Sequence, residues 1–334
     1  MRLICCLLVC ACLISTSSLR ADDWLTFAPK PGPGQGKHVV FLAADHEYRS
    51  EEGLPMLAKI LSQRHGFKCT VLFPIAGDGT IDPNNTNSLP GASALDSADI
   101  VVMLLRYRTW PDEVMQHFSD AYSRGTPMIG LRTSTHAFNY PNDGKSGYKS
   151  FNEFGKHVLG EQWVNHWGQH KREATRGIIE PSSKDDPLLL GVTDVFGDTD
   201  VYEAYPAADS KILLRGQVLR GMSPEDSPAS YKKRRASDKK EQDINDPMMP
   251  IAWSRERKSV YGKDFRVFCT TLGSSTDLQN EGLRRLLVNA VFWGLQKEVP
   301  AKADVDYVDP YKPSAYGFNG FRKGVKPVDL SLGH

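Results

Sequence analysis

The sequence predicts an α/β protein: a mainly parallel sheet flanked by helices, with extra strands in its second half. Three observations carry this. Short, uninterrupted apolar runs such as HVVFLAA, DIVVMLL and PMIGL suit strands buried on both faces. Segments with apolar residues at helical spacing stand between them. The two kinds alternate, which calls for right-handed crossovers and parallel pairing.

The elements follow in order. Residues 37–44 (KHVVFLAA) read as the first strand. Residues 50–66 read as a helix with Ser50 as N-cap, acidic residues behind it, Leu54, Leu57, Ala58 and Leu61 on one face, and Gly66 as its end. Pro55 falls early, where a helix tolerates it. Residues 67–73 are a strand, followed by a long polar loop. Residues 98–106 are a strand, 109–125 a helix with Val114, Met115, Phe118, Ala121 and Tyr122 inward, and 126–132 a fourth strand. YKSFNEFGKHVLG reads as a helix. EATRGIIE, SKILLRGQ, MPIAWSRE and DFRVFCTTL are further strands, and residues 277–295 are the closing helix.

The domain plan has five parts. Residues 1–21 carry Arg2, an apolar run from Leu3 to Ile14, and small polar residues before Ala21, the order of an export signal. The expected location is therefore secreted or periplasmic, with no stable membrane span once the signal is cut. Residues 22–36, rich in Pro and Gly, read as a linker. The domain spans 37–299. Within it, 220–247 is polar, strongly charged and read as an exposed insertion. Residues 300–334 show little period and read as an arm packed on the domain or a tail. Four of the six cysteines lie in the signal, leaving Cys69 and Cys269 in apparent core strands. With 41 basic and 40 acidic residues the net charge is +1, which gives no general attraction to nucleic acid or anionic membranes.

Ligands of open parallel sheets bind beyond the carboxyl ends of the strands. Those ends carry Asp45-His46-Glu47, then Arg106-Tyr107-Arg108, then Arg132 to His136, then Ser274 to Asp277. Imidazole, carboxylate, guanidinium and hydroxyl groups together suit a polyhydroxylated ligand and proton transfer. A second cluster, EQWVNHWGQH, spaces His166 and His170 by four. The HExxH pattern is absent, and Gly168 with Trp163 and Trp167 argues against a regular helix there. No P-loop, GxGxxG or GxSxG occurs at these ends.

Four blocks carry a family resemblance. HVVFLAADHEYRSEEGLPMLAKIL, MIGLRTSTHAF, GIIEPSSKDDPLLLGVTDVFGDTDVYEAYP, and FRVFCTTLG followed by GLRRLLVNAVFWGL stand in an order that resembles the ThuA-like family, named for trehalose utilisation. The export signal, NHWGQH and NDPMMPIAW resemble a secreted bacterial branch of it. The resemblance implies a flavodoxin-like, class I glutamine-amidotransferase-like fold. Working amidotransferases carry a cysteine in a G-x-C-x-G elbow after the fourth strand. Here the elbow reads Gly130-Leu131-Arg132-Thr133-Ser134, and a guanidinium is not a nucleophile. Many members carry histidine at the Arg132 position and after the final-strand Leu-Gly, where this chain has Ser274. Their mid-domain histidine matches His166.

The resemblance implies a role in sugar catabolism, including that of oxidised (3-keto) disaccharides, so the expected function is acid/base cleavage of a keto-glycoside or disaccharide, assisted in one reading by a divalent metal. The alternative is a non-catalytic carbohydrate-binding or partner-docking module. Expected catalytic residues are His46, Glu47, His136 and His166. Expected substrate contacts are Arg106, Arg108, Arg132, Trp167, Ser274 and Asp277. His46, His136, His166 and His170 are the candidate metal ligands.

Overall fold

A computed structural model describes residues 23–259 and 261–333. The export segment read at 1–21 lies outside them. Fourteen strands and three α-helices are present among the described residues. In chain order the strands are β1 (Trp24–Phe27), β2 (His38–Ala44), β3 (Lys68–Leu72), β4 (Ile100–Leu105), β5 (Met128–Leu131), β6 (Asn165–His166) and β7 (Thr175–Ile179). Then come β8 (Phe196–Gly197), β9 (Tyr202–Glu203), β10 (Lys211–Val218), β11 (Lys232–Arg234), β12 (Glu241–Asp243), β13 (Met249–Lys258) and β14 (Asp264–Thr270). The helices are α1 (Ser50–His65), α2 (Asp112–Ser123) and α3 (Glu281–Gly294).

Ten strands form one mixed sheet in the order β1-β3-β2-β4-β5-β14-β13-β10-β7-β8. Its centre, from β3 to β14, is parallel. Antiparallel pairs extend it on both sides: β1 on β3, and β13, β10, β7 and β8 beyond β14. The alternation of strand side chains sorts the core into two layers. Val39, Phe41 and Ala43 face the layer that holds α1 and α3. Val40, Leu42 and Ala44 face the layer with Met115 and Phe118 of α2. Every residue of β2 is buried, as its unbroken apolar run requires.

Several expectations are corrected in detail. The fold begins before residue 37, because Trp24–Phe27 pairs with β3 inside the segment read as a linker. Ser50 does not cap α1. Arg49 does, in a left-handed conformation with φ 57°, while Ser50 Oγ accepts from Asp45 N at 2.9 Å. Gly66 ends the helix at φ 78°, a conformation that suits glycine. Residues 148–160 form a 3-10 turn and a π turn rather than an α-helix. Asn280 caps α3 through Leu283 N, so residues 277–280 precede that helix. The insertion at 220–247 is mostly exposed and contains the β11–β12 hairpin. The arm is packed: Lys59 Nζ bonds Asp309 at 2.6 Å, and Tyr311 Oη donates to Ser275 O at 2.7 Å. Cys69 and Cys269 are free and buried. No helix among the described residues is long and apolar enough to cross a membrane.

One buried carboxyl has a measurable consequence. Glu51 lies in the first turn of α1 with Arg49 Nη1 at 3.8 Å. Burial raises its carboxyl from the ordinary 4.5 to about 8. Between those values the folded chain holds a proton that the unfolded chain releases. Its contribution is complete below the unfolded value and is lost as pH rises through about 8. Stability is expected to fall by about 1 kcal/mol per pH unit across that window from this group. Thermal melts at pH 5 to 8 check this, since Glu51→Gln removes that part of the slope.

Candidate functional site

The site forms where β2, β4, β5 and β14 end, and each end turns sharply. Asp45 makes the first turn: its Oδ1 accepts from Glu47 N at 2.7 Å and Tyr48 N at 2.5 Å, and its Oδ2 accepts from Thr133 Oγ1 at 2.5 Å. This turn fixes the direction of His46 and Glu47. Arg49, Tyr107 and Arg132 all adopt positive φ, at 57°, 51° and 38°. Non-glycine residues there are strained, and such strain collects at functional sites. The loops after β4 and β5 are tied together, Tyr107 N to His136 O at 3.1 Å and Arg108 N to Ala137 O at 2.6 Å.

Asp200 is the centre of the constellation. Its Oδ2 meets His166 Nδ1 at 2.7 Å, and its Oδ1 meets His170 Nδ1 at 3.0 Å. Arg132 Nη2 donates to the same Oδ1 at 2.9 Å. Burial opposes the Asp200 charge, but the two imidazoles and Arg132 outweigh it and hold the carboxyl well below the usual range. His170 extends the row: its Nε2 lies 3.4 Å from Glu47 Oε1. Hydrogen bonds to Asp200 and then Glu47 raise His170 to about 9 despite burial. Glu47 is held below its ordinary value, because His170 and Arg106 overcome the effect of burial.

His46 stands between two guanidiniums, with Arg106 Nη1 at 2.6 Å from Nε2 and Arg108 Nη2 at 2.9 Å from Nδ1. Burial first, and then those two charges, lower it to about 4 against the pull of Asp45, so it is neutral at pH 7. A neutral imidazole accepts through one nitrogen only. Arg108 is otherwise satisfied by the carbonyls of Arg106, Pro83 and Asn85. Arg106 has Glu47 at 3.8 Å and its side chain is partly exposed. The two arginines therefore differ: Arg108 is tied to three backbone carbonyls and His46, whereas Arg106 has His46 and Glu47 as side-chain partners.

Full burial also takes other expected residues out of reach of a ligand. Arg132 is closed between the rings of Tyr48 and Tyr202, 4.3 and 4.2 Å from its Cζ, and donates to Thr271 O at 2.8 Å. It braces Asp200 rather than touching a sugar. Trp167 is a core side chain whose Nε1 donates to Ile244 O at 2.7 Å. Ser274 is buried, with Thr276 Oγ1 3.0 Å from its hydroxyl. Asp277 accepts from Thr199 N, Thr199 Oγ1, Gly273 N and Ser274 N, clamping the segment before Asp200 to the loop after β14. His136 is buried between Tyr107 and Trp163, ring centroids 4.9 and 5.3 Å away. Burial and then the Arg106 and Arg132 charges push it well below 6.5, so it is a neutral wall.

Of the four histidines expected as metal ligands, only His166 and His170 fall into a cluster, and Asp200 completes it. One donor atom from each lies within 4.8 Å of the others. His46 and His136 are not part of that group. Nitrogen and carboxylate donors at such a distance fit a borderline divalent ion such as zinc. The spacing of four in HWGQH is produced by a short strand and a turn, not a helix: His166 ends β6, which pairs with β9 through Tyr202. Lys233 of the insertion pins this segment through His166 O at 3.0 Å and Trp167 O at 2.7 Å.

Fold and site together define an α/β protein with a parallel centre and a histidine–carboxylate cleft beyond the carboxyl ends of its strands. No protein-family model matches the chain, and a search of curated proteins finds no match. Among solved structures the chain is similar in fold to a protein of Parabacteroides merdae ATCC 43184 designated thua-like. That pair has 13% identity and a TM-score of 0.49, covering 85% of this chain and 97% of the other. A second thua-like protein, from Bacteroides uniformis ATCC 8492, has 15% identity and a TM-score of 0.47, covering 80% and 94%. PurLQS from Thermotoga maritima follows at 9% identity and a TM-score of 0.38, covering 77% and 98%.

Proposed function

We propose that this protein is an exported carbohydrate-active enzyme that cleaves a keto-glycoside or related disaccharide by acid/base chemistry. The observation that carries the reading is the continuous row Glu47–His170–Asp200–His166, a carboxylate, two imidazoles and a buried carboxylate in mutual hydrogen-bond contact or close to it. Sites that move protons are built from such coupled groups with shifted proton affinities.

A carbonyl at C3 of a sugar ring acidifies the neighbouring C2–H. Glu47, kept ionised, takes that proton, and the C–H electron pair moves into the C2–C3 bond as the carbonyl becomes an enolate. Arg106, 3.8 Å from Glu47, stands beside the base where its charge favours the developing oxyanion. Collapse of the enolate expels the C1 oxygen, which takes a proton from an acid in the site. Water then adds across the resulting C1–C2 double bond, so the net change is hydrolysis. His166, His170 and Asp200 would hold a divalent ion, which supplies Lewis-acid polarisation of the carbonyl. Loading it requires His170 to give up its proton. Before the ion binds, Asp200 accepts from both Nδ1 atoms and so holds the two rings together.

Incubating the exported form with a 3-keto-glucoside, with and without chelator, tests the reading. Sugar release is expected, lowered by chelation and restored by added divalent metal. No release under either condition ends it. Binding without release supports the carbohydrate-binding module instead.

A further inference from the structure

The C-terminal arm has almost no regular structure, yet it is fixed across the mouth of the site. Gly317 N donates to Glu47 O at 2.7 Å, and the Arg49 guanidinium donates to Gly317 O. Tyr316 Oη donates to Asp198 O at 3.2 Å, and its ring packs 5.3 Å from Tyr48 and 5.8 Å from His170. Asn84 Nδ2 donates to Asn319 Oδ1 at 3.2 Å. Between these anchors stands Phe318.

Phe318 is 52% exposed, although its ring lies 5.5 Å from His46 and 4.9 Å from the Arg106 guanidinium carbon. A large apolar ring held by its neighbours beside reactive groups, with half of its surface in water, is a contact surface without a contact. A second aromatic ring borders the group, with Trp163 centred 5.8 Å from His166 and 5.3 Å from His136. The row between them runs His46, Arg106, Glu47, His170, His166 through successive contacts. Phe318 thus borders this chain of contacts at His46 and Arg106, and Trp163 borders it at His166.

We propose that Phe318 is a specificity-determining residue, supplied by the arm, whose ring is the platform for the leaving group. The substrate is then a glycoside with a ring on both sides of the scissile bond, because the apolar C–H face of a second sugar covers the exposed phenyl face. This rests on the acid/base reading above and narrows it to a substrate class. The arm is in this account part of the active site and not a tail.

The test uses the full exported chain, as wild type, Phe318→Ala and Phe318→Tyr. Two 3-keto-glucosides are compared, one whose aglycone is a second sugar and one whose aglycone is methyl. For the two-ring substrate, Phe318→Ala is expected to raise KM about tenfold with kcat within about twofold. Phe318→Tyr keeps the wild-type KM, and the methyl glycoside barely distinguishes the three proteins. Equal KM for wild type and Phe318→Ala on the two-ring substrate overturns the proposal. So does an equal rise on both substrates, which marks a general effect rather than a leaving-group platform. If wild type releases sugar from neither, the acid/base reading fails and this inference falls with it. Melting temperature checks that the exposed substitution leaves the fold intact.

Discussion

Arg132→Ala is expected to melt about 10 °C below the wild-type protein, a loss of about 3–5 kcal/mol. Arg132 is completely buried and faces Asp200 at 2.9 Å, with Tyr48 and Tyr202 closing both faces of its guanidinium. Removing it leaves a carboxylate in the interior without its fixed counter-charge. It also opens a void between two tyrosine rings and frees the carbonyls of Thr271 and Asp200. Breaking one half of such a pair is strongly destabilising because the remaining charge stays desolvated. Arg132→Lys is expected to recover only part of the loss, since an ammonium cannot stack between two rings while bonding the four oxygens that Arg132 reaches. Thermal melts of the three proteins at one pH check this. Arg132→Cys, which restores the amidotransferase-like elbow pattern, is expected to be destabilised similarly, because a small thiol equally removes the buried guanidinium that pairs with Asp200 and fills the space between the two tyrosine rings.

The second large effect concerns turnover rather than stability. Glu47→Gln keeps the shape of the side chain and removes the base. Turnover of a keto-glycoside is expected to fall by about 10²–10⁴-fold, while the melting temperature changes by no more than about 3 °C. The nearest cationic neighbours of the Glu47 carboxylate are His170 and Arg106, at 3.4 and 3.8 Å, so the neutral amide leaves no short bond broken. Substrate binding by calorimetry is expected to persist in the variant. A non-catalytic binding module would lose affinity at most and have no turnover to lose.

Strands β2 and β4 of the parallel centre were legible because each is an apolar run buried on both faces. Val39 to Ala44 and Ile100 to Leu105 illustrate this, being buried throughout. The helix 50–66 and its Gly66 terminus were legible for the same kind of local reason. Strand β1 was not, since WLTF is short and stands next to a Pro/Gly stretch. Only its pairing with β3 makes it a strand. The irregular 148–160 segment carries a helical pattern that tertiary packing overrides.

For the site, the rim residues His46, Glu47 and Arg106 followed from the rule that ligands lie beyond the strand ends. His166 and His170 followed from their spacing. Asp200 was missed, because it lies in GDTDVYEAYP with nothing local to mark it among the neighbouring acids, and it joins the histidines only through the β6–β9 pairing. Arg108, Arg132, Ser274 and Asp277 sit at the right strand ends yet turn inward. A strand-end position tells where a backbone emerges, while the side-chain direction is decided by partners distant in sequence, such as Asp200 for Arg132 and Thr199 for Asp277. Phe318 and Tyr316 were out of reach for a related reason: the arm has no periodicity, and its path over the site is set by hydrogen bonds to Glu47 O and Asp198 O and from the Arg49 guanidinium.

Turnover in D₂O tests the central claim most directly, because proton removal next to the carbonyl leaves a mark in the product. A 3-keto-glucoside is converted by the metal-loaded protein, and the released sugar is analysed by mass spectrometry before spontaneous exchange sets in. The account predicts one carbon-bound deuterium per product molecule, at the carbon between the carbonyl and the cleaved bond, and none without enzyme. A product released at the enzymatic rate with no carbon-bound deuterium would contradict it.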